Sequence, residues 1–419
     1  MERNLKYDVV VIGGGSAGVS AAIGAKKFGQ SVVLIERSSF LGGQATNASV
    51  ASYCGFFTHE DKPKQIVGGV GQMVLDKLLA MGKYDGYRLS TMGNAIIPLD
   101  SEALKLVFDE IVIENQIDTL LYCNLFSAKT RDNKIISIQC FDDEGIINIE
   151  GKVFIDASGD GNLAYLSGAE TIFGNPNGVT QVATSVMRIG NFNMNLDISP
   201  DDVKKAILKA KEEGLKNFSK DSGIIFKVEY TKNGFAILPS IKVNSLDCKT
   251  LTACEMSTRK QAQDYINAFR KYIPGMENCI LLTTGPKLGI REARHIVGKS
   301  TLTGNEVINA VKNERGIARG AWPCENHSKE NELAEYFWIK DGDYYHIPID
   351  ILMSKNISNL WSAGRTVSAD PIAFASIRVM GISFATGHAA GVGAAYMSKF
   401  GNINVDAIIE ELKAQGAII

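Results

Sequence analysis

The segment from Tyr7 to Lys27 constrains the fold more than any other part of this 419-residue chain. A β-branched apolar run, Tyr7 to Ile12, ends in Gly-Gly-Gly-Ser-Ala-Gly at positions 13 to 18, and an alanine-rich stretch follows. Glycines at positions 13 and 15 allow a sharp turn and a close backbone approach, and Gly18 allows the helix and strand to pack closely. The helix N-terminus at this turn attracts negative charge. The pattern therefore predicts an α/β fold whose first turn binds a dinucleotide pyrophosphate.

The end of the next predicted strand indicates which kind of dinucleotide binds. It runs from Ser31 to Ile35 and ends at Glu36, 18 residues after Gly18. An acid at this position accepts hydrogen bonds from both hydroxyls of an adenosine ribose, whereas it repels a 2′-phosphate. A glycine pattern alone can be an ordinary turn, but here strand, turn, helix, strand and terminal acid coincide. We therefore predict a dinucleotide with an unphosphorylated ribose.

Three further segments extend this pattern. Glu36 and Arg37 lead into a Leu-Gly-Gly loop at 41–43, an apolar strand closes in Ala-Ser-Gly at 157–159, and Asn359 to Arg365 precedes a glycine-rich helix. These segments resemble the FAD-dependent oxidoreductases of the glutathione-reductase-like superfamily. The resemblance narrows to a large group of mostly uncharacterised bacterial and archaeal members through three shorter matches, Gly289 to Arg294, Tyr345 to Pro348 and Arg378 to Met380.

The resemblance implies FAD as the cofactor and a Rossmann-like FAD-binding domain of the glutathione-reductase-like class. In such folds the closing turn and the N-terminus of the last helix lie against the ribityl chain and the pyrimidine edge of the flavin, where the positive end of the helix stabilises the anionic reduced flavin. Related flavoproteins pass a strand backbone over the adenine near Phe126. The cofactor contacts expected from the turn and from the resemblance are Gly13, Gly15, Ser16, Ala17, Gly18, Glu36, Arg37, Gly42, Gly43, Gln44, Ala45, Thr46, Phe126, Ala157, Ser158, Gly159, Gly364, Arg365 and Arg378.

The element pattern changes after residue 170, which suggests three consecutive parts. We predict an FAD-binding domain at 1–170, an inserted α+β substrate or cap domain at 171–354, and a return to the FAD-binding domain at 355–419. A helix from Ser101 to about Asn115 and hairpin strands between Thr119 and Ile149 are expected in the first part. The inserted part should contain strands at Gln181 to Ile189 and Gly223 to Val228 and helices at Pro200 to Gly214 and Thr250 to Tyr272. Because 171–285 matches the family weakly, the resemblance identifies a cofactor better than a substrate.

Several missing motifs narrow the chemistry. The sequence contains no second glycine turn after an apolar strand, so a dedicated NAD(P)H domain is not expected. The loop after Gly43 lacks the Cys-x4-Cys pair of disulfide reductases. The five histidines show no metal-ligand spacing, and the seven cysteines form no Cys-x-x-Cys, so we predict no metal site and no disulfide framework.

Composition and charge indicate which binding partners and which cellular compartment to expect. Forty-four Lys and Arg against 46 Asp and Glu give a net charge of −2, so no global basic field indicates nucleic acid or an anionic membrane. The N-terminus lacks the features of a secretory signal, and the uncharged stretch Val379 to Met397 is only weakly apolar. We expect a cytoplasmic protein with a buried helix at this stretch, no membrane insertion and a small-molecule substrate. A homo-oligomer is compatible with the sequence.

Candidate catalytic residues are few. Arg291, in an Arg-Glu-x-Arg segment, could hold a carboxylate by bidentate hydrogen bonds, or it could form an ion pair with Glu292 or cap a helix. Tyr53 and Cys54 follow the Gly42-Gly43 loop, which runs along the flavin ring in this superfamily; packing or covering roles are the alternative. Arg378 could neutralise a flavin or substrate anion, or form an interdomain ion pair.

Two classes of function follow from these residues. The first is an FAD-dependent oxidoreductase that takes a hydride from a small organic substrate, a carboxylate or an amine, and passes the electrons to oxygen, a quinone or a protein acceptor. A variant of this enzyme reduces the substrate with external electrons. The second is a flavin-binding electron-relay or structural subunit without a substrate site of its own.

Overall fold

The fold is taken from a computed structural model that describes residues 2–328 and 334–419. The strands, numbered along the chain, are β1 (Glu2–Ile12), β2 (Val32–Ile35), β3 (Ser52–Cys54), β4 (Arg88–Leu89), β5 (Ala95–Pro98), β6 (Asp118–Leu120), β7 (Asn124–Arg131), β8 (Lys134–Asp142), β9 (Gly145–Asp156), β10 (Thr171–Phe173), β11 (Ala183–Thr184), β12 (Met187–Gly190), β13 (Ile225–Val228), β14 (Asn233–Ala236), β15 (Ser240–Ile241), β16 (Ile280–Thr284), β17 (Arg294–Ile296), β18 (Gly316–Gly320), β19 (Cys324–Asn326), β20 (Glu335–Phe337), β21 (Tyr345–Pro348) and β22 (Leu360–Ser362). The helices are α1 (Ser16–Lys27), α2 (Gln44–Asn47), α3 (Val70–Ala80), α4 (Ser101–Glu114), α5 (Asn162–Leu166), α6 (Pro200–Glu212), α7 (Cys248–Tyr272), α8 (Gly304–Ile308), α9 (Pro371–Ile377), α10 (Met380–Phe400) and α11 (Val405–Ala414).

The main sheet is parallel at its centre. Its order is β6-β2-β1-β9-β8-β7, and β22 pairs with the last residues of β9. Strands β2, β1, β9 and β22 run in the same direction, with Val11 opposite both Leu34 and Ile155 and with Trp361 opposite Ile155. This arrangement confirms the predicted α/β fold with a parallel sheet. The carboxyl ends of four strands meet at one edge, where open α/β sheets bind their ligands.

Helices α1 and α10 cover one face of this sheet at backbone contact. A Cβ atom at Gly387 would lie 2.1 Å from the carbonyl oxygen of Ala17, and one at Gly391 would lie 2.1 Å from that of Ala21. Small residues are therefore required along α10, which explains why this stretch is uncharged but only weakly apolar. The buried helix expected at Val379 to Met397 is confirmed as α10.

A second hydrophobic core lies in the middle of the chain. Strands β13, β14, β12 and β16 form an antiparallel sheet, and α6 and α7 pack with it around residues such as Ile207, Tyr265 and Phe269. The buried members of this core lie between residues 187 and 279, whereas buried residues from 302 to 353 belong to the main core. Residues 302–353, the last part of the predicted insertion, thus pack in the main core, and the domain bounds stay a prediction.

The helices that the sequence predicted are found at the expected positions. The helix predicted from Ser101 is α4, and the Asp100 carboxylate caps it by accepting hydrogen bonds from the backbone of Glu102 and Ala103. Helix α6 begins with a reciprocal capping box between Ser199 and Asp202. Among the described residues, no single helix has the length and apolar character needed to cross a membrane, and the α9–α10 pair reaches them only across a 93° bend.

Candidate functional site

The glycines at the turn after β1 have two different roles, close packing of the backbone and space for the cavity. Gly13 has φ +102°, and a Cβ there would lie 2.4 Å from the carbonyl oxygen of Ala157, while a Cβ at Gly18 would lie 1.7 Å from the carbonyl oxygen of Gly13. At Gly15 the nearest atom to a Cβ would be the Cα of Gly43 at 3.5 Å, an ordinary contact. The fold therefore requires glycine at 13 and 18, whereas Gly15 keeps the adjoining cavity open.

Glu36 is fixed at the end of β2 by the turn itself. Its Oε2 accepts a hydrogen bond from the backbone N–H of Gly14 at 2.7 Å, and its Oε1 accepts one from the N–H of Ser38 at 2.8 Å. The side chain is 8% exposed. Each carboxylate oxygen can accept more than one hydrogen bond, so both retain capacity toward the cavity.

A cavity of about 510 Å³ opens at the carboxyl ends of β1, β2, β9 and β22. This is the size of a typical small-molecule or cofactor site. The predicted cofactor residues that line it are Gly13, Gly15, Ser16, Ala17, Glu36, Arg37, Gly43, Gln44, Ala157, Ser158, Gly159, Gly364, Arg365 and Arg378.

Five residues of the predicted set are not among the lining residues of this cavity: Gly18, Gly42, Ala45, Thr46 and Phe126. Thr46 donates a hydrogen bond to the carbonyl oxygen of Leu41 at 2.7 Å, and a Cβ at Gly42 would collide with Thr46, so these residues shape the loop. Ala45 is fully buried.

The ring of Phe126 does not line the cavity, and a contact of its backbone with the adenine stays a prediction. The pairing of β7 with β8 shifts between Leu125 and Ser127, so Phe126 sits in a β-bulge and its ring packs against Phe141 on the surface. Cys123, Asn124 and Leu125 line the cavity instead.

An acidic residue organises the arginines of the cavity wall. The Asp160 carboxylate lies 3.2 Å from Arg37 and 3.3 Å from Arg365. Just before it, the buried Asp156 carboxylate accepts hydrogen bonds from Ser158 and from the N–H of Ala164, which fixes the Ala-Ser-Gly turn. Burial raises the pKa of Asp156.

The middle region also contributes to this cavity. Leu251 and Glu255 of α7, together with Lys287 and Leu288, are lining residues. The Lys287 ammonium donates a hydrogen bond to the Ser38 hydroxyl at 2.8 Å, and burial and the charge of Arg37 lower its pKa. The cavity is therefore enclosed between the main core and the helix of the second core.

A second polar cluster continues from Arg378, at the start of α10. The Arg378 guanidinium donates a hydrogen bond to the carbonyl oxygen of Glu325 at 3.0 Å. One side-chain oxygen of Glu325 accepts hydrogen bonds from His327 at 3.1 Å and from the Tyr336 hydroxyl at 2.9 Å, and the other accepts one from the indole of Trp322 at 3.0 Å. We call Arg291, Glu325, His327, Tyr336 and Arg378 the arginine–histidine cluster.

Charge–charge effects within the cluster are strong. Burial raises the pKa of Glu325, but the hydrogen bond from His327 and the positive charges of Arg378 and Arg291 outweigh it and hold that pKa well below its usual range. Burial and the charge of Arg291 lower the pKa of His327 to about 3. Burial and the charge of Arg378 lower the pKa of Arg291 to about 10. At neutral pH the cluster thus holds two guanidinium cations, one carboxylate and a neutral imidazole.

Arg291 is anchored to the backbone. Its Nη1 donates to the carbonyl oxygen of Val182 at 2.6 Å and approaches the Thr184 hydroxyl at 3.3 Å. Within the described part of the chain it forms no ion pair with Glu292, whose Oε2 accepts a hydrogen bond from the N–H of Gln181. The alternative in which these neighbours pair is therefore not what the structure contains.

The other two predicted catalytic residues differ in position. Tyr53 is fully buried and packs against Phe56 and Phe384 with ring centroids 5.7 and 5.3 Å apart. Cys54 is half-buried beside the arginine–histidine cluster, where burial and the charge of Glu325 raise its pKa to about 12. Cys54 is thus a thiol at neutral pH, and Tyr53 lies where packing is its evident role. Their participation in catalysis stays a prediction.

Comparison with known proteins decides the family. Residues 8–415 match the family model for FAD dependent oxidoreductases. The chain belongs to this family. It is an FAD-dependent oxidoreductase, and its cofactor is FAD.

One curated relative of this FAD-dependent oxidoreductase is the FAD-dependent oxidoreductase dbaF of Emericella nidulans. The two are 56% identical over 41 residues, which make up 10% of this chain and 9% of that protein. The match therefore spans a small part of the relative.

Solved structures share the fold at low sequence identity. A geranylgeranyl bacteriochlorophyll reductase-like protein from Thermoplasma acidophilum is 12% identical with a TM-score of 0.50, and the match covers 99% of this chain and 85% of that one. OxyS anhydrotetracycline hydroxylase from Streptomyces rimosus is 10% identical with a TM-score of 0.50, covering 98% and 69%. CabE, an aromatic hydroxylase from angucycline biosynthesis, is 9% identical with a TM-score of 0.51, covering 98% and 65%. These likenesses concern the fold, and the narrower glutathione-reductase-like assignment stays a prediction.

The residues of this FAD-dependent oxidoreductase fit the cofactor at its cavity. Among the described residues, Ser16 Oγ, Arg365 Nη1 and Arg378 Nε are buried polar atoms without a hydrogen-bond partner, and all three side chains line the cavity. Such atoms are costly unless a ligand satisfies them. When bound, FAD supplies a two-electron acceptor. The chain contributes the turn at 13–15, the Glu36 carboxylate and the cations that face the cavity.

Sequence reasoning assigned no role to Lys287, Asp160, Glu325, His327 and Tyr336. Only Asp160, directly after the Ala-Ser-Gly turn, belongs to a motif that carries the resemblance. Lys287 meets Ser38 across 249 positions, and Glu325 meets Tyr336 because β19 pairs with β20. Arg291 was the sequence signal for the arginine–histidine cluster, but the sequence did not show which residues lie next to it in the fold.

Proposed function

We propose that the FAD domain is of the Rossmann-like, glutathione-reductase-like class and that the enzyme oxidises a small organic carboxylate, passing the electrons to oxygen, a quinone or a protein acceptor. The carboxylate is chosen over the amine because of the charges beside Arg378. The residues from 171 onward would supply the substrate side of the site, and no nucleic acid is required as a partner.

The observation that carries this proposal is the surplus of positive charge next to the cofactor cavity. The charge of Arg378 adds to burial in lowering the pKa of Arg291, and burial together with the charge of Arg291 lowers the pKa of Lys220 to about 8. Glu325 is the ionised acid of the cluster, while burial raises the pKa of Glu292 to about 7. Buried cations without matching anions are costly, and a ligand carboxylate would offset them.

Arg378 joins the two regions. It lines the cofactor cavity, and it also contacts the backbone of Glu325 in the arginine–histidine cluster. An anion held there would lie beside the start of α10, whose N-terminal end adds a favourable field. Guanidinium groups are suited to carboxylates because their paired N–H groups match the two oxygens.

Anaerobic titration of the FAD-loaded protein tests the proposal. A panel of small carboxylates is compared with the corresponding primary amides, which have the same shape without the charge. We expect at least one acid to bleach the flavin absorbance and its amide to leave the absorbance unchanged. If only amines or neutral alcohols bleach the flavin, the substrate is an amine or an alcohol and the proposal of a carboxylate is wrong.

The alternative function, a flavin subunit that relays electrons, gives a different result in the same experiment. It requires that no member of the panel reduces the flavin, while a reduced partner protein does. The FAD content must be stoichiometric before either result is interpreted.

A further inference from the structure

The tautomer of His327 follows from its partner. Its Nε2 lies 3.1 Å from an oxygen of Glu325, and an ionised carboxylate can only accept hydrogen bonds. Nε2 therefore carries the hydrogen, and Nδ1 presents a lone pair. Within residues 2–328 and 334–419, no hydrogen bond to Nδ1 is formed. The imidazole thus offers Nδ1 as an acceptor.

Both arginines are tied to the segment that carries this imidazole. Arg291 donates to the carbonyl oxygen of Val182, and the N–H of Val182 donates to the carbonyl oxygen of His327 at 2.9 Å. Arg378 donates to the carbonyl oxygen of Glu325, two residues earlier. One short stretch of backbone therefore fixes two guanidinium groups and one imidazole relative to each other.

The side chains of the cluster keep part of their surface accessible. The side chains of His327 and Glu325 remain 17% and 20% accessible, and Arg291, Tyr336 and Arg378 are half-buried as well. The Nε of Arg378 is buried and has no partner among the described residues. Charged groups with accessible surface can be reached by a ligand from outside.

We propose that the arginine–histidine cluster binds a small carboxylate that carries a hydroxyl or ammonium group on the adjacent carbon. Arg291 and Arg378 take the carboxylate, and the Nδ1 of His327 accepts a hydrogen bond from the adjacent group. This inference rests on the proposed function and names the substrate class of that site. His327 is then the residue that distinguishes such an acid from the same acid without the donor.

The adjacent carbon is the shortest attachment by which one small ligand can present both a carboxylate and a hydrogen-bond donor to neighbouring groups of the cluster. A ligand without the adjacent donor would leave Nδ1 desolvated and unpaired, which is the usual basis of strong discrimination.

The test measures equilibrium binding to the FAD-loaded protein by calorimetry. The probes are propionate, 2-hydroxypropionate and 2-aminopropionate, each substituted acid as both enantiomers, with phenylacetate, mandelate and phenylglycine as a larger series. In the unmodified protein we expect one enantiomer of at least one substituted acid to bind about five- to tenfold more tightly than its parent. Equal affinity throughout, or no binding, overturns the inference.

Two substitutions of His327 separate its role from structure. His327→Leu should bring the ratio of the affinities for the substituted acid and its parent close to one. His327→Asn, whose amide oxygen can take the position of Nδ1, should restore part of the preference. Melting temperature and FAD stoichiometry are recorded for both, and a preference that survives in His327→Leu contradicts the assignment.

A third variant distinguishes this inference from the proposed function. Arg291→Lys should weaken all the acids by a similar factor and leave the preference intact, since the bidentate contact is lost but the imidazole is unchanged. If acids bind and bleach the flavin but the substituted acids bind no better than their parents, the role of His327 is wrong and the proposed function stands. If only neutral or amine ligands bind and bleach the flavin, both the role of His327 and the proposed carboxylate function are wrong.

Discussion

A Cβ atom at Gly18 would lie 1.7 Å from the carbonyl oxygen of Gly13. Gly18→Ala should therefore force the helix away from the strand and lower the free energy of unfolding by about 1 to 3 kcal/mol or more. Gly15→Ala is the matched variant, because φ is −77° there and a Cβ would meet only an ordinary contact with Gly43.

We expect Gly15→Ala to keep the melting temperature of the cofactor-free protein while weakening FAD, since the methyl group would project at the cavity wall. Thermal melts of the cofactor-free proteins and fluorescence titration with FAD measure the two effects. Equal FAD affinity for Gly15→Ala and the unmodified protein would remove the turn from the site.

Glu36→Gln should raise the dissociation constant of FAD. A hydrogen bond to a charged group is worth about 1.5 to 3 kcal/mol, which corresponds to roughly a ten- to hundredfold change. Glu255→Gln is the control, because Glu255 lines the same cavity from α7 but accepts its hydrogen bond from Leu288. The expectation fails if both variants weaken FAD equally.

Lys287→Met should weaken FAD about fivefold, and Lys287→Arg should keep most of the affinity, because the cation faces the cavity beside Arg37. The loss should shrink as the salt concentration rises, as expected for a screened charge. Lys249→Met, at an exposed position of α7, is the matched control. Titrations at two salt concentrations measure the effect, and a similar loss in the control would contradict a specific role.

The buried carboxyl of Glu292 predicts a pH effect on stability. Burial raises its pKa from 4.5 to about 7, so between these values the folded protein binds more protons than the unfolded chain. The free energy of unfolding should then fall as pH rises through this window. Glu292→Gln keeps an acceptor for the N–H of Gln181 and should lose this dependence.

Denaturant unfolding at pH 5 and pH 8 measures that difference. The variant should gain on the order of 2 to 3 kcal/mol relative to the unmodified protein between the two conditions. Both proteins share every other titrating group. If the free energy of unfolding changes equally in both between pH 5 and pH 8, Glu292 does not titrate in this range.

The sequence predicted the parts of the site that are encoded locally. Strand, turn and helix around Gly15 are contiguous, and Glu36 follows one strand later, so spacing alone places them at one sheet edge. The register of β7 was not accessible in this way, because a single bulged residue turns Phe126 outward.

The arginine–histidine cluster is a part of the candidate site that the sequence did not predict. Arg291 could be picked from its sequence neighbours, but the position of His327 depends on Glu325, on Val182 and on pairing of β19 with β20. Long-range contacts of this kind are set by packing of the whole chain, and no local periodicity reports them.

The enclosure of the cavity by α7 has a consequence for production of the protein. Leu251 and Glu255 on that helix line the cavity together with the turn at 13–15, so FAD bound there would contact both the sheet edge and α7. Ligand binding to the folded state alone stabilises it in proportion to the logarithm of ligand concentration. Protein from cells starved of riboflavin should therefore be cleaved by proteases faster than the FAD-loaded protein.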